Sequence, residues 1–127
     1  MNIVDSSGWI EYFQDTLRAD LFADPIENRH HLLVPTISLF EVHKVLSRNL
    51  PEMLVTQCLD VMRLGRVLDL TDARAVSASK ASRLHNLAMA DAAMYSMAQE
   101  LHAIFWTQDV GYQGLPGVNY FAKDTMA

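Results

Sequence analysis

Short apolar runs alternate with longer stretches of helical period along the chain. Residues 2–4 predict a strand, and the stretch opening at Ser6 or Ser7 sets Trp9, Ile10 and Phe13 on one helical face. RADLFADPIENRHH, from Arg18, is polar and turn-rich around Pro25, which predicts a connector holding a short helix. LLVP from Leu32 predicts a second strand. TISLFEVHKVLSRN then spaces Ile37, Phe40, Val45 and Leu46 as a helix does, with Thr36 or Ser38 available as its cap. Pro51 suits the first turn of a further helix, where its missing N–H is not needed, and Met53, Leu54, Leu59, Val61 and Met62 supply apolar surface up to Gly65. RVLDL predicts a third strand, and Thr71 or Asp72 the cap of a helix reaching about Leu84. LAMADAAMYSMAQELH, rich in Ala and Met, predicts another helix; AIFWT follows as a fourth strand, QDVGYQGLPG as a loop and VNYF as a possible fifth strand.

Strands alternating with helices predict an α/β fold with a central, mostly parallel sheet of four to five strands and helices on both faces. No repeat, low-complexity stretch or linker interrupts the pattern, and 127 residues, half of them hydrophobic, suit one domain with a real core.

Charge narrows the function. A net charge of −5 argues against broad electrostatic attachment to nucleic acid, so a polyanionic substrate would need metal ions or local basic help. The single cysteine, Cys58, excludes an internal disulfide framework and fits a small buried hydrophobe in a reducing compartment. No basic region followed by an apolar core opens the chain, and its apolar runs are too short to span a bilayer. A cytoplasmic protein without a membrane partner is expected.

Four carboxylates stand where the pattern calls for apolar or neutral residues. Asp5 ends the first strand: it reads either as the cap of the following helix or as a metal ligand at the carboxyl end of a parallel strand, where open α/β sheets place their sites. Glu41 lies one helical turn from both Ile37 and Val45, inside the apolar stripe or at its solvated margin. Asp91 follows Leu87 and precedes Met94 and Tyr95 in the same way, or caps a helix beginning near Ala90. Asp109 follows the fourth strand as Asp5 follows the first, or is an ordinary loop aspartate. If strands one and four are neighbours, the four acids converge at one sheet edge. Two unit charges about 4 Å apart repel by about 1 kcal/mol in water and about 4 kcal/mol at an effective dielectric of about 20, so such a cluster needs neutralising. With one cysteine and no metal-spaced histidine pair, the donors are hard oxygens, suited to Mg²⁺ or Mn²⁺ rather than Zn²⁺. His30, His31, His43, His85 and His102 receive no role.

IVDSSGWIEYF, LFEVHKVL, LAMADAAMYSMAQEL and FWTQDVGYQGLPGVNYF, in that order and spacing, resemble the four signature blocks of PIN-domain ribonucleases, particularly the VapC-type toxins of bacterial toxin–antitoxin pairs. The resemblance runs from end to end and implies a single PIN domain over residues 1–127, with a PIN-like three-layer sandwich. It further implies that Asp5, Glu41, Asp91 and Asp109 are the catalytic, metal-binding acids, with Ser6 and Thr107 as supporting hydroxyls. The activity implied is Mg²⁺-dependent (or Mn²⁺-dependent) hydrolysis of RNA phosphodiester bonds by a homodimer, inhibited by a small antitoxin that lays an apolar helix against the Met- and Leu-rich helix from Met53 to Leu64. Lys44, Arg48, Lys80 and Arg83 are candidates for RNA contact, each otherwise a solvated surface charge. Two positions depart from the family pattern: Gln108 stands where a basic residue is frequent and Gly111 where a further aspartate is.

Two rivals remain. A phosphoacceptor signalling domain also sets acids and Mg²⁺ at strand ends, but it expects paired acids after strand one, where Asp5 is followed by Ser6, and an aspartate after strand three, where Asp69 reads as inside the strand. A catalytically silent PIN-like module that only binds RNA or protein keeps every pattern above.

Overall fold

Consecutive residues of the first strand enter different cores. Ile3 joins Leu33, Phe105 and Met94, whereas Val4 joins Trp9, Val34 and Val42. That alternation is the pleat of a strand covered on both faces. The computed structural model describes residues 1–123. In chain order its elements are β1 (Asn2–Val4), α1 (Ser6–Phe13), α2 (Ala19–Glu27), β2 (Leu32–Pro35), α3 (Thr36–Leu46), α4 (Glu52–Met62), β3 (Arg66–Leu68), α5 (Asp72–His85), α6 (Met89–Glu100), β4 (Ile104–Thr107) and β5 (Val118–Tyr120), with single 3₁₀ turns at 29–31 and 110–112.

All five strands pair in parallel, in the order β3-β2-β1-β4-β5. The expected mostly parallel sheet is therefore wholly parallel, with both faces covered. Ala92, Met94, Tyr95, Met97 and Ala98 of α6 cover one face; Trp9 of α1, Phe22 and Ile26 of α2, Val42 and Leu46 of α3, and Val55, Leu59 and Met62 of α4 cover the other. β1 pairs with β2 on one side and β4 on the other, so the chain reverses its direction of travel across the sheet at β1. A crevice opens at the carboxyl ends of the strands where such a reversal occurs.

Two local expectations change and one gains bounds. The short helix expected in the polar connector after Arg18 is α2, nine residues that run through Pro25. Ala19, Phe22, Pro25 and Ile26 form its buried stripe, and burying Phe22 and Ile26 offsets the roughly 3 kcal/mol that an interior proline costs a helix. Neither Thr36 nor Ser38 caps α3; Pro35 occupies the cap position without a side-chain bond. β3 ends at Leu68, which leaves Asp69 beyond the strand, while Thr71 caps α5 by accepting from the Arg74 N–H at 3.2 Å.

Close approach of α1 to α2 requires Gly8. A β-carbon there would stand 2.6 Å from Cδ1 of Phe22 and 2.8 Å from Cγ1 of Val4, both fully buried. Gly8→Ala is therefore expected to lower stability by about 1–3 kcal/mol, although alanine is the better helix former. Denaturant titration checks it: an unchanged midpoint would mean that the two helices part to admit the methyl.

Candidate active site

The four carboxylates come from four separate segments and line one cleft of about 240 Å³, together with Ser6, Ser7, Ile10, Val45 and Lys123. Asp5 directly follows β1 and is 4% exposed. The capping reading is observed: Oδ1 accepts from the Ser6 N–H at 2.8 Å and caps α1, while Oδ2 accepts from the Thr107 hydroxyl at 2.8 Å inside the cleft. Thr107 ends β4, whose Trp106 pairs with Val4. The same hydroxyl oxygen accepts from the Asp109 N–H at 3.0 Å, so one threonine fixes two of the acids. Asp109 starts the 3₁₀ turn that follows, its Oδ1 accepting from the Gly111 N–H at 2.9 Å.

Glu41 sits on α3 between half-buried Ile37 and Val45, at the margin of the apolar stripe with its head in the cleft. Its Oε1 accepts from the Ser6 hydroxyl at 2.7 Å. Asp91 is the third residue of α6, inside the first turn where the macrodipole favours a negative charge, but Ala88 holds the cap position. Ser6 thus hydrogen-bonds one carboxylate of the cleft and Thr107 another.

The acids in the cleft act on one another's charges. Burial, with the charges of Asp91 and Asp109 adding to it, pushes Asp5 up to about 7 against the pull of the Thr107 and Ser6 hydrogen bonds. Asp91 is also raised, chiefly by burial and then by Asp109 and Glu41; the Tyr112 hydroxyl opposes the rise. Tyr112 is fully buried, and its phenol is held neutral first by burial and then by the charges of Asp5 and Asp91. Its hydroxyl falls short of full hydrogen-bond geometry yet lies near enough to Asp91 to favour the charged carboxylate. Among the described residues no three His, Cys, Asp or Glu side chains close into a ready-made coordination set, so the carboxylates border an open cleft. All its acidic donors are oxygens, a chemistry that fits a hard divalent cation.

Lys44 on α3, Arg48 in the turn after it, and Lys80 and Arg83 on α5 are exposed and lie outside the cleft. Asp69 follows an edge strand separated from β1 by β2 and does not join Asp5, which removes the arrangement a phosphoacceptor domain requires. Several residues escaped the sequence reading. Lys123 follows the last strand and carries no local signal. Ser7 lines the cleft beside Ser6, with its hydroxyl buried and unpaired. Gln108, conspicuous only as a departure, is a buried brace: its side-chain oxygen accepts from Nε of Arg18 and its amide donates to Glu11 at 2.9 Å.

A wholly parallel α/β sheet with an acid-lined cleft at its point of reversal defines the class of protein. The PIN domain model matches residues 3–116, and the chain belongs to that family. No curated protein matches it significantly. Among solved structures it is similar to a toxin–antitoxin complex from Klebsiella pneumoniae (15% identity, 94% of this chain and 96% of that one, TM-score 0.79). It is also similar to VapBC2 from Rickettsia felis bound to a promoter DNA fragment (11% identity, 95% and 98%, TM-score 0.75). A third likeness is to VapC20 of Mycobacterium tuberculosis, described as a toxin that cleaves the sarcin–ricin loop (13% identity, 98% and 92%, TM-score 0.71).

Proposed function

We propose that the protein is a divalent-metal-dependent endoribonuclease and the toxin of a toxin–antitoxin pair. The observation that carries the reading is the meeting of Asp5, Glu41, Asp91 and Asp109, from four distant segments of a PIN-family chain, in one cleft. Asp5, Asp91 and Asp109, with Glu41, would hold Mg²⁺ or Mn²⁺, which when bound supplies a polarised phosphate and a water of lowered pKa.

The chain's own residues perform the rest. Thr107 holds Asp5 and Asp109 in register, and Ser6 orients Glu41 through its 2.7 Å bond. Glu41, exposed to the cleft, accepts the proton of the attacking water. Ile10 and Val45 form an apolar wall that limits bulk water around the reacting phosphate. In-line attack breaks the bond from phosphorus to the 3′ oxygen, leaving a 5′-phosphate and a 3′-hydroxyl. Unpaired RNA is the fitting substrate, because splayed bases let a phosphodiester enter a narrow cleft.

The antitoxin part of the proposal is supported by α4. Met53 and Leu54 are exposed, and a hollow of about 310 Å³ beside them is lined by Phe13, Leu50, Leu54, Gln57, Cys58 and Val61, a seat for an apolar helix. A homodimer in the cytoplasm completes the reading; no helix among the described residues is long and apolar enough to cross a membrane.

Purified protein is expected to cut single-stranded RNA with Mg²⁺ or Mn²⁺ and to lose that activity in excess chelator, with end-mapping showing 5′-phosphate products. Undiminished cleavage in chelator overturns the metal assignment. RNA binding without cleavage in either ion would instead identify a silent binding module.

A further inference from the structure

Lys123 is the one cationic side chain lining the acidic cleft among the described residues, and it is put there by a clamp. Arg18, whose side chain is 12% exposed, precedes α2 and directs its guanidinium at three successive carbonyls: Nη2 donates to Phe121 at 3.2 Å and to Ala122 at 3.4 Å, and Nη1 to Lys123 at 3.4 Å. Nε donates to Gln108, which is tied in turn to Glu11. Phe121 fastens the same segment from the other side, its N–H donating to the Thr107 carbonyl at 2.9 Å and its ring packing edge-on against Phe22. Residues 121–123 are thus strapped to the strand end that supplies Thr107, Gln108 and Asp109.

Charge gives the strap a purpose. Four carboxylates outweigh one divalent cation, so the cleft stays negative when loaded, and an RNA phosphate brings a further negative charge. The exposed bases on α3 and α5 stand outside it. Lys123 makes no ion pair with the four acids among the described residues, which leaves its ammonium for an incoming anion. We propose that Lys123 binds a non-bridging oxygen of the RNA phosphodiester in the cleft, and that Arg18 is the positioning residue that holds it there. In this chain the strap supplies the positive charge that Gln108, committed to the brace, cannot. The inference rests on the nucleolytic reading and deepens it.

The test compares parent, Lys123→Ala, Lys123→Arg and Arg18→Gln. With Mg²⁺ and a short single-stranded RNA, Lys123→Ala is expected to raise KM about tenfold with kcat within about twofold, and to flatten the slope of log kcat/KM against log salt by about 0.7. Lys123→Arg should restore most of KM, and Arg18→Gln should reproduce part of the rise with the lysine intact. Two further readouts separate the causes. The Mn²⁺-dependent rise in Tm should match the parent in Lys123→Ala, because the acids are untouched. Fluorescence anisotropy with the same RNA in an Asp91→Asn background should show weaker binding when Lys123→Ala is added. Metal-dependent cleavage with KM, salt slope and anisotropy all indifferent to Lys123 overturns the proposal and leaves the nuclease standing. Absence of cleavage with Lys123-dependent binding overturns the nuclease and keeps the lysine contact; absence of both cleavage and binding overturns both.

Discussion

Metal-free Asp5→Asn is expected to be more stable than the parent at pH 8 and indistinguishable from it below pH 4. In the folded chain burial pushes the Asp5 carboxyl up to about 7, against 3.8 for an ordinary aspartate. Below about pH 4 it is protonated whether the chain is folded or not, and no penalty arises. Between pH 4 and 7 the unfolded chain releases this proton while the folded chain keeps it, so stability falls as pH rises. Above pH 7 the loss is complete, on the order of 4 kcal/mol for a group so deeply buried. Asparagine retains the oxygen that caps α1 and cannot ionise, so it removes the slope while keeping the helix start. Thermal melts in chelator from pH 4 to 8 check this. Parallel curves for parent and variant would show that water reaches Asp5 and that the carboxylates do not crowd. Mg²⁺ should reverse the parent's disadvantage at pH 8, because a bound cation stabilises only the folded, ionised site.

Asp91→Asn is expected to slow RNA cleavage by orders of magnitude while leaving the metal-free protein as stable as the parent or more so. Asp91 lies in the cleft with Asp109 and Glu41, and each raises its carboxyl beyond what burial alone does. Removing its charge relieves that repulsion, and asparagine remains tolerable in the first turn of α6. The charge is also what a divalent cation would grip. Metal polarisation contributes several kcal/mol to hydrolysis, so losing it should slow cleavage by about 10²- to 10⁴-fold. The rise in Tm with Mg²⁺ should shrink in parallel. The proposed role of Asp91 is falsified if the variant cuts RNA at the parent's rate and keeps the full Mg²⁺-dependent rise.

Both outcomes concern residues visible in the linear chain because each breaks a pattern. Asp5 stops an apolar run, and Asp91 interrupts the stripe from Leu87 to Met94 and Tyr95. An isolated break has a bland explanation, and for Asp5 that explanation is also true, since it caps α1. What no local pattern encodes is the pairing of β1 with β4, which turns separate oddities into one cleft. The extent of helix α2 was harder to read for a different reason: Asp20, Asp24 and Glu27 mask a buried stripe of four residues, one of which is the helix-breaking Pro25. The Arg18 strap lay hidden because its partners, 90 to 105 positions away, are mostly backbone carbonyls, which have no sequence signature.

The central place of β1 also sets the order in which the molecule can assemble. One flank of β1 is filled early by β2, but the other stays open until Ile104 can meet Asn2, a closure across most of the chain. Pairings of such long range form late, after the loop entropy has been overcome. A growing polypeptide that has reached Glu100 already holds Asp5, Glu41 and Asp91 but has neither Thr107 to fix Asp5 nor Asp109 to face it. On the proposed nucleolytic reading the nascent chain is therefore expected to be inactive, because the four-acid cleft is complete only once β4 is paired with β1.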